Sequence, residues 1–583
     1  MCLVGVLAIL FPSVSRGQAA TTPGQLESYS TIYSLGVEWR QQGDDDHDAS
    51  CTVSYRVQGE TQWHTAMDLF RVDYTPPDPV GSMTEHFNGL SGSVLFLDPD
   101  TTYDLLLNLV DPDGGSESRQ TTISTRAIPQ KPSGSSVFHV VPGSGGGDGS
   151  EANPFQGIEF AQDHASPGAL FNLHAGTYQG FDPDNEIEFN VSGTANQYIV
   201  WQAAGDGEVI FDDIVRIAAD FVWLEGIHVR GHAGVDDEFA LLTFGAPEYV
   251  VISRCLFTDF HYSITLNHGG ANWVITDNTI VGDMDVIGNP DDSTSWSGEG
   301  IELEFTGGHT VAHNSISRVA DGISSSLINT DIFGNDIFDV TDDGIEPDSG
   351  YANIRIWGNR VSNARHAGIS FQPMNGGPWY ILRNQVVAGN QALKLRESTR
   401  ALIAHNVFVG WEGVQAYGSE RLLNFQSNNN LWISVQDRYA WENGEGGAAT
   451  WRTNLDSDGF DWGNAYYAFK WGSDERYVDL AEFTAATGLE PNGIHVDRES
   501  CFATFDIPLA PPQSMPFQFM TLADGSEAID AGVPLANIND DFIGTAPDLG
   551  AYEKGRGLPS YGPRPVALVF EDGFESADTG AWD

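Results

Sequence analysis

The sequence predicts an all-β protein, a right-handed parallel β-helix solenoid preceded by a β-sandwich. The first sign is a recurring turn, an aliphatic cluster followed by Asn and further apolar residues. It stands at Asn278, Asn314, Asn335, Asn359, Asn384 and Asn406, and from Asn314 onward the spacings are 21, 24, 25 and 22 residues. A period in that range, built of strand-like units with polar punctuation, marks coils that stack on one another. The second sign is an apolar anchor after each turn, usually preceded by Gly: Ile301, Ile323, Ile345, Ile369, Leu393 and Val414. The third lies upstream, where Val37–Arg40, Val53–Val57 and Tyr103–Val110 alternate with Gly, Pro and Asp turns and no helical pattern intervenes.

In chain order, residues 3–11 (LVGVLAILF) are a short apolar run leading to Ala19-Ala20. That is a leader-like segment too short to span a bilayer, so 1–20 reads as a signal peptide and the mature chain as secreted, periplasmic or cell-surface. Residues 24–128 are the sandwich, and a Pro/Ser/Gly linker follows at Ile128–Ser136. The solenoid occupies 136–440. Near its start Phe155, Ile158, Phe160, Ala161 and Ala165 line one side of a short helix that plugs the open end of the stack. The coils run to about Ser434. Residues 441–555 continue or cap the solenoid, and 556–583 form an acidic tail, disordered or used for sorting.

Charge and cysteines narrow the function. Acidic residues number 81 against 27 basic ones, a net charge of −54, and only four residues are Lys. Such a field repels nucleic acid and anionic membranes. No later segment is apolar for long enough to span a membrane, and a monomer is expected. Once the leader is gone, Cys51, Cys255 and Cys501 are too far apart for a disulfide framework or a zinc site. Cys255, 23 residues before Asn278, falls in the Asn column as a small buried substitute.

Aligning the coils puts equivalent residues into columns. Side chains alternate between faces of a strand, so with the anchor Ile inward its neighbours point outward. The column after the anchor reads Glu302, Ser324, Glu346, Ser370, Lys394, Gln415; two further on stand Glu304, Ser326, Asp348, Gln372, Arg396, Tyr417. At the strand entry are Glu299, Asp321 and Asp343, with Asp342 and His366 one position earlier in their coils. Stacked parallel strands lie about 4.7–4.9 Å apart. Carboxylates that close cannot all ionise, and acids held apart in pKa are what glycosidic cleavage requires. Trp296 and Trp379 sit in insertions beside this face, where they either stack on sugar rings or pack against the coil beneath.

Two resemblances accompany these readings. The segment LDPDTTYDLLL (Leu97–Leu107) resembles the fibronectin type III pattern, which implies a corner Tyr at Tyr103 and a buried indole at Trp39. The order ADGI, TDDGIEPDSG, RHAGISFQ, ALKLR resembles the polygalacturonase family of glycoside hydrolases, whose fold is of the pectate-lyase-like kind. The resemblance implies that Asp321 matches that family's single Asp, Asp342 and Asp343 its Asp pair, His366 its His and Lys394 its substrate-holding base. The chain departs from the pattern at Val319-Ala320, at Gly344 and in the spacing of His366, one position early.

Three functions are consistent with this sequence. The first is a secreted glycoside hydrolase with Asp321, Asp342, Asp343, Glu346 and His366 as catalytic candidates and no cofactor. Lys394, Arg396, Gln372, Trp296 and Trp379 would bind its polysaccharide or oligosaccharide. The second is a polysaccharide lyase in which Glu302, Glu304 and Asp348, with Glu346, hold Ca²⁺ against a uronate while Lys394 removes a proton. The third is a non-catalytic adhesion or scaffold protein.

Overall fold

The computed structural model describes residues 18–75, 86–134, 136–180, 186–231, 239–284, 296–372, 374, 376–395, 400–411, 422–436, 438–444 and 452–565. The leader run, Arg396, Val414, Gln415, Tyr417 and the end of the acidic tail lie outside them.

Eight strands form the sandwich: β1 (Thr22–Ser30), β2 (Leu35–Gln42), β3 (Ser50–Val57), β4 (His64–Thr65), β5 (Phe70–Tyr74), β6 (Phe87–Val94), β7 (Thr102–Val110) and β8 (Glu117–Ser124). One antiparallel sheet runs β1-β2-β6-β5 and the other β4-β3-β7-β8. Trp39 and Tyr103 are buried between them with Leu35, Val53, Leu105 and Leu107. The Asp98 amide donates to the Tyr103 hydroxyl oxygen at 3.0 Å, pinning the corner that leads into β7.

Beyond the linker the chain winds into a right-handed parallel solenoid with three long sheets. The first contains Phe239–Thr243, Tyr262–Thr265, Glu299–Gly307, the start of Asp321–Phe333, Ile345–Glu346, Ala367–Phe371 and Gln391–Leu395. The second runs through Val274–Thr276, Thr310–Ala312, Ala352–Trp357, Trp379–Leu382 and Ala401–Ala404. The third has 13 strands, from Gly176–Tyr178 to Ile494–His495. Each anchor Ile pairs in register with the next and is buried, so the interior is a continuous column of aliphatic side chains. Every such side chain contributes about 1.5–3 kcal/mol.

The Asn column is a hydrogen-bonded ladder between the second and third sheets. Asn278 donates from Nδ2 to Asn314 Oδ1 (2.9 Å), Asn314 to Asn335 (3.0 Å), Asn335 to Asn359 (2.9 Å), and the series continues through Asn384 and Asn406. Each backbone amide bonds the same oxygen, so these buried groups are satisfied by the coil above or below. Cys255 starts the ladder, its amide donating to Asn278 Oδ1 at 2.9 Å, and its thiol is buried.

The ladder does not stop at Ser434. Asn406 donates to Asn430 and Asn430 to Asp458 (2.9 and 3.0 Å), and strands Asn454–Asp456 and Gly459–Asp461 complete a further coil. The sequence period fades there because the repeat lengthens to 28 residues and the Asn becomes Asp. At the other end a short helix, Ile158–Gln162, buries Ile158 and Ala161 against the core beside Phe155, with Phe160 and Ala165 partly buried around it.

Two of the three outer faces are covered. The sandwich lies on the second sheet, where Tyr33, Phe70 and Leu95 join Phe333, Trp357, Tyr380 and Leu402 in one apolar layer. Within this junction Arg355 Nε donates to Asp331 (2.5 Å) and its Nη1 to Ser93 Oγ (3.0 Å). The C-terminal segment covers the third sheet, packing Val496, Cys501, Met520 and Leu549 on Val407, Leu431 and Ile433. It then runs back along the stack until Arg564 clasps Asp277 with bonds of 2.9 and 2.6 Å. No described helix is long and apolar enough to cross a membrane.

Candidate functional site

The first sheet carries the acids on its outer face. Register places Glu299 beside Asp321, and Thr265, Glu302, Ser324 and Glu346 in one row. Ser370 pairs with Lys394 further along the same column.

Asp343 is the hub. Its side chain is 1% exposed, and it accepts from Lys394 Nζ (2.9 Å), His366 Nδ1 (3.0 Å) and the Ala367 amide (2.7 Å). The Asp343 amide in turn donates to Asp321 Oδ1 at 2.8 Å. His366 Nδ1 also lies 3.0 Å from Asp342, and Lys394 Nζ lies 3.8 Å from Glu346. Asp321, Asp343 and Glu346 each bring a carboxylate oxygen within 4.8 Å of the others. The Ser370 hydroxyl spans Glu346 (3.5 Å) and Asp348 (3.4 Å), and Asp348 accepts from the Gln372 amide at 2.8 Å.

These contacts separate the protonation states. Burial acts to raise Asp343, but the His366 hydrogen bond and the Lys394 charge outweigh it and hold the carboxyl far below the usual range. Burial, then the charges of Asp321, Asp343 and Asp348, drive Glu346 far above its usual range. Asp321 is raised by burial and by Glu299, Asp342 and Asp343. Burial also raises Asp342, against the opposing His366 bond. His366 is pushed up to about 9 by its bonds to Asp342 and Asp343. Burial opposes the charge on Lys394, yet Asp343 and Glu346 prevail and its pKa rises. Asp343 is thus biased toward ionisation and Glu346 toward keeping its proton, with two cations beside them.

The other sequence candidates fall out as follows. Glu302 and Glu304 lie beside each other, Glu304 within the irregularity between Glu302 and Thr306, where it adopts φ 43°. Burial and the Glu304 charge push Glu302 up to about 7, and burial does the same for Asp348. Trp296 is 56% exposed, three residues before Glu299. Trp379, by contrast, is fully buried at the start of a second-sheet strand, edge-on to Phe371, so it packs against the coil and not on a rim. The insertion that carries it turns inward, so a wide apolar ring gains more from the core than from the rim. Arg396 lies outside the described residues. Sequence reasoning missed Thr265, because its coil precedes the aligned anchors; the in-register Ile264 is the signal that could have found it.

The fold and this face define a right-handed β-helix protein with an acidic cluster on one sheet. Residues 240–430 match the family model described as right handed beta helix region, a span that includes every cluster residue named above. No curated protein and no solved structure matches the chain.

Proposed function

We propose that the protein is an exported carbohydrate-active enzyme that hydrolyses glycosidic bonds on the outer face of the first sheet. The observation that carries this reading is the pairing of an ionised Asp343 with a proton-retaining Glu346 within one cluster. Glu346, with 17% of its side chain exposed, donates the proton to the leaving oxygen. Asp321, Asp343 and Glu346 approach more closely than the roughly 6.5–9.5 Å that leaves room for a water between two carboxyls. That trio therefore shares protons, and the water is activated by Asp342, which is 18% exposed and bonded to His366.

The lyase reading fits less well. A lysine that removes a proton from carbon must first be neutral, whereas Lys394 is held charged by Asp343 at 2.9 Å. A product-resolved screen on a broad glycan panel, with and without chelator, tests the assignment. Hydrolysis releases reducing ends without the ultraviolet absorbance of an unsaturated sugar. Chelator-sensitive appearance of that absorbance, or no turnover on any glycan, overturns the proposal.

A further inference from the structure

A serine, a histidine and an aspartate meet at the edge of the first sheet, outside the acid cluster. His261 Nε2 lies 3.1 Å from Ser297 Oγ, and its Nδ1 lies 3.4 Å from Asp283 Oδ1. His261 leads into Tyr262–Thr265 of one coil; in the next, Asp283 follows Thr279–Val281 and Ser297 precedes Glu299–Gly307. A carboxylate only accepts, so Nδ1 carries the ring proton and the Nε2 lone pair is left to take the proton of the Ser297 hydroxyl. The imidazole is set edge-on to Tyr262, with ring centroids 5.0 Å apart, and Tyr262 stacks on Phe239 at 4.7 Å. His261 and Asp283 expose 11% and 18% of their side chains, and Ser297 is partly exposed. The base is therefore held in place while the hydroxyl stays within reach of a substrate.

Gly298 brings the serine against the ring. Its φ of 113° lies where glycine is favoured, and a Cβ there would stand 2.9 Å from the His261 carbonyl oxygen and 3.2 Å from its Cε1. The Gly298 carbonyl accepts from the amides of Ala320 and Asp321 at 2.8 and 3.2 Å, and among the described residues no acceptor meets its own N–H. In serine hydrolases of another fold, the amide that follows the nucleophile holds the oxyanion.

We propose that Ser297, His261 and Asp283 form a second, ester-cleaving site that removes O-acyl groups from the glycan. Ser297 Oγ bonds to the acyl carbon as His261 Nε2 takes the hydroxyl proton; the ester C–O bond then breaks and that proton passes to the sugar oxygen. Water next attacks the acyl-serine, its proton returns to Ser297 Oγ through His261, and a carboxylic acid leaves. That the ester is carried by a glycan rests on the cleavage reading of the neighbouring cluster. His261 and Asp342 each stand three residues before an anchor, Ile264 and Ile345, and those anchors are three strand spacings apart, about 14 Å. One oligosaccharide laid along this edge meets both sites, so acyl groups are cleared from the chain that is cut.

The test uses the full chain with an alkyl fluorophosphonate, 4-nitrophenyl acetate and an O-acetylated xylo-oligosaccharide. The fluorophosphonate is expected to label Ser297, located by peptide mass, and this readout on the unmutated chain does not depend on the folding of any variant. Acetate release from both esters should be abolished in Ser297→Ala and fall by about 10²–10⁴-fold in His261→Gln. A label that falls elsewhere, or ester turnover that survives Ser297→Ala, overturns the site. So does a chain that neither takes the label nor releases acetate. Glycan cleavage without labelling refutes the ester site and leaves hydrolysis standing; labelling and acetate release with no glycan cleaved do the reverse.

Discussion

Lys394 reaches back across two coils to set its ammonium 2.9 Å from Asp343, and both side chains are almost wholly buried. Replacing Lys394 by Met leaves that carboxylate without its cation. Breaking a buried pair from one side costs about 3–5 kcal/mol. Denaturant unfolding of K394M should show a lower midpoint than the unmutated chain, and an unchanged midpoint would refute the pairing.

His366 should remain an imidazolium well above neutrality. Its folded pKa of about 9 exceeds the ordinary value of 6.5, so its stabilising contribution is fully present below about pH 6.5 and is lost as pH rises through about 9. The exposed third of its side chain (37%) makes that contribution modest. Nitrogen chemical shifts of selectively labelled histidine should titrate near 9, and Asp343→Asn should move the midpoint downward. A midpoint near 6.5 in the unmutated chain would sink this account.

Removing one rung of the ladder should be felt through three coils. In Asn359→Ala the amide and Nδ2 of Asn335 lose their acceptor, and the Ile332 carbonyl loses its donor. Each orphaned group costs about 1–3 kcal/mol. Thermal unfolding of N359A should fall by several degrees, more than for an exposed Asn to Ala change such as Asn492.

Glu346→Gln keeps the shape of the side chain and removes its proton. Loss of a general acid lowers turnover by about 10²–10⁴-fold, so the expected result is near-complete loss of reducing-end release with folding intact. Chelator should leave the unmutated rate unchanged. Full activity of E346Q would remove this residue from the mechanism.

Much of this architecture was legible because stacking turns a linear period into a spatial column. Asn278 to Asn406, Cys255 in the same slot, and the anchors Ile301 to Leu393 could be read from spacing alone. So could the gathering of Asp321, Asp343 and Glu346, since register follows from the anchors. What spacing could not convey was cover. The C-terminal segment has no period, so nothing marked Arg564 as the partner of Asp277, 287 residues away. Burial of Trp379 depends on which way its insertion folds, which is a matter of packing. The different surroundings of Asp342 and Asp343 also escaped the sequence, because adjacent acids differ only in which one Lys394 and the Ala367 amide happen to reach.

The clasp between Arg564 and Asp277 turns the C-terminal segment into a ruler for the stack. Most solenoids gain or lose repeats without penalty elsewhere, since each repeat meets only its neighbours. Here one extra coil between Asn278 and Asn430 would slide Arg564 out of step with Asp277 by about 4.8 Å, one strand spacing. The number of turns is thereby locked to the length of the strap, and duplication of a repeat requires a matching insertion some hundred residues downstream.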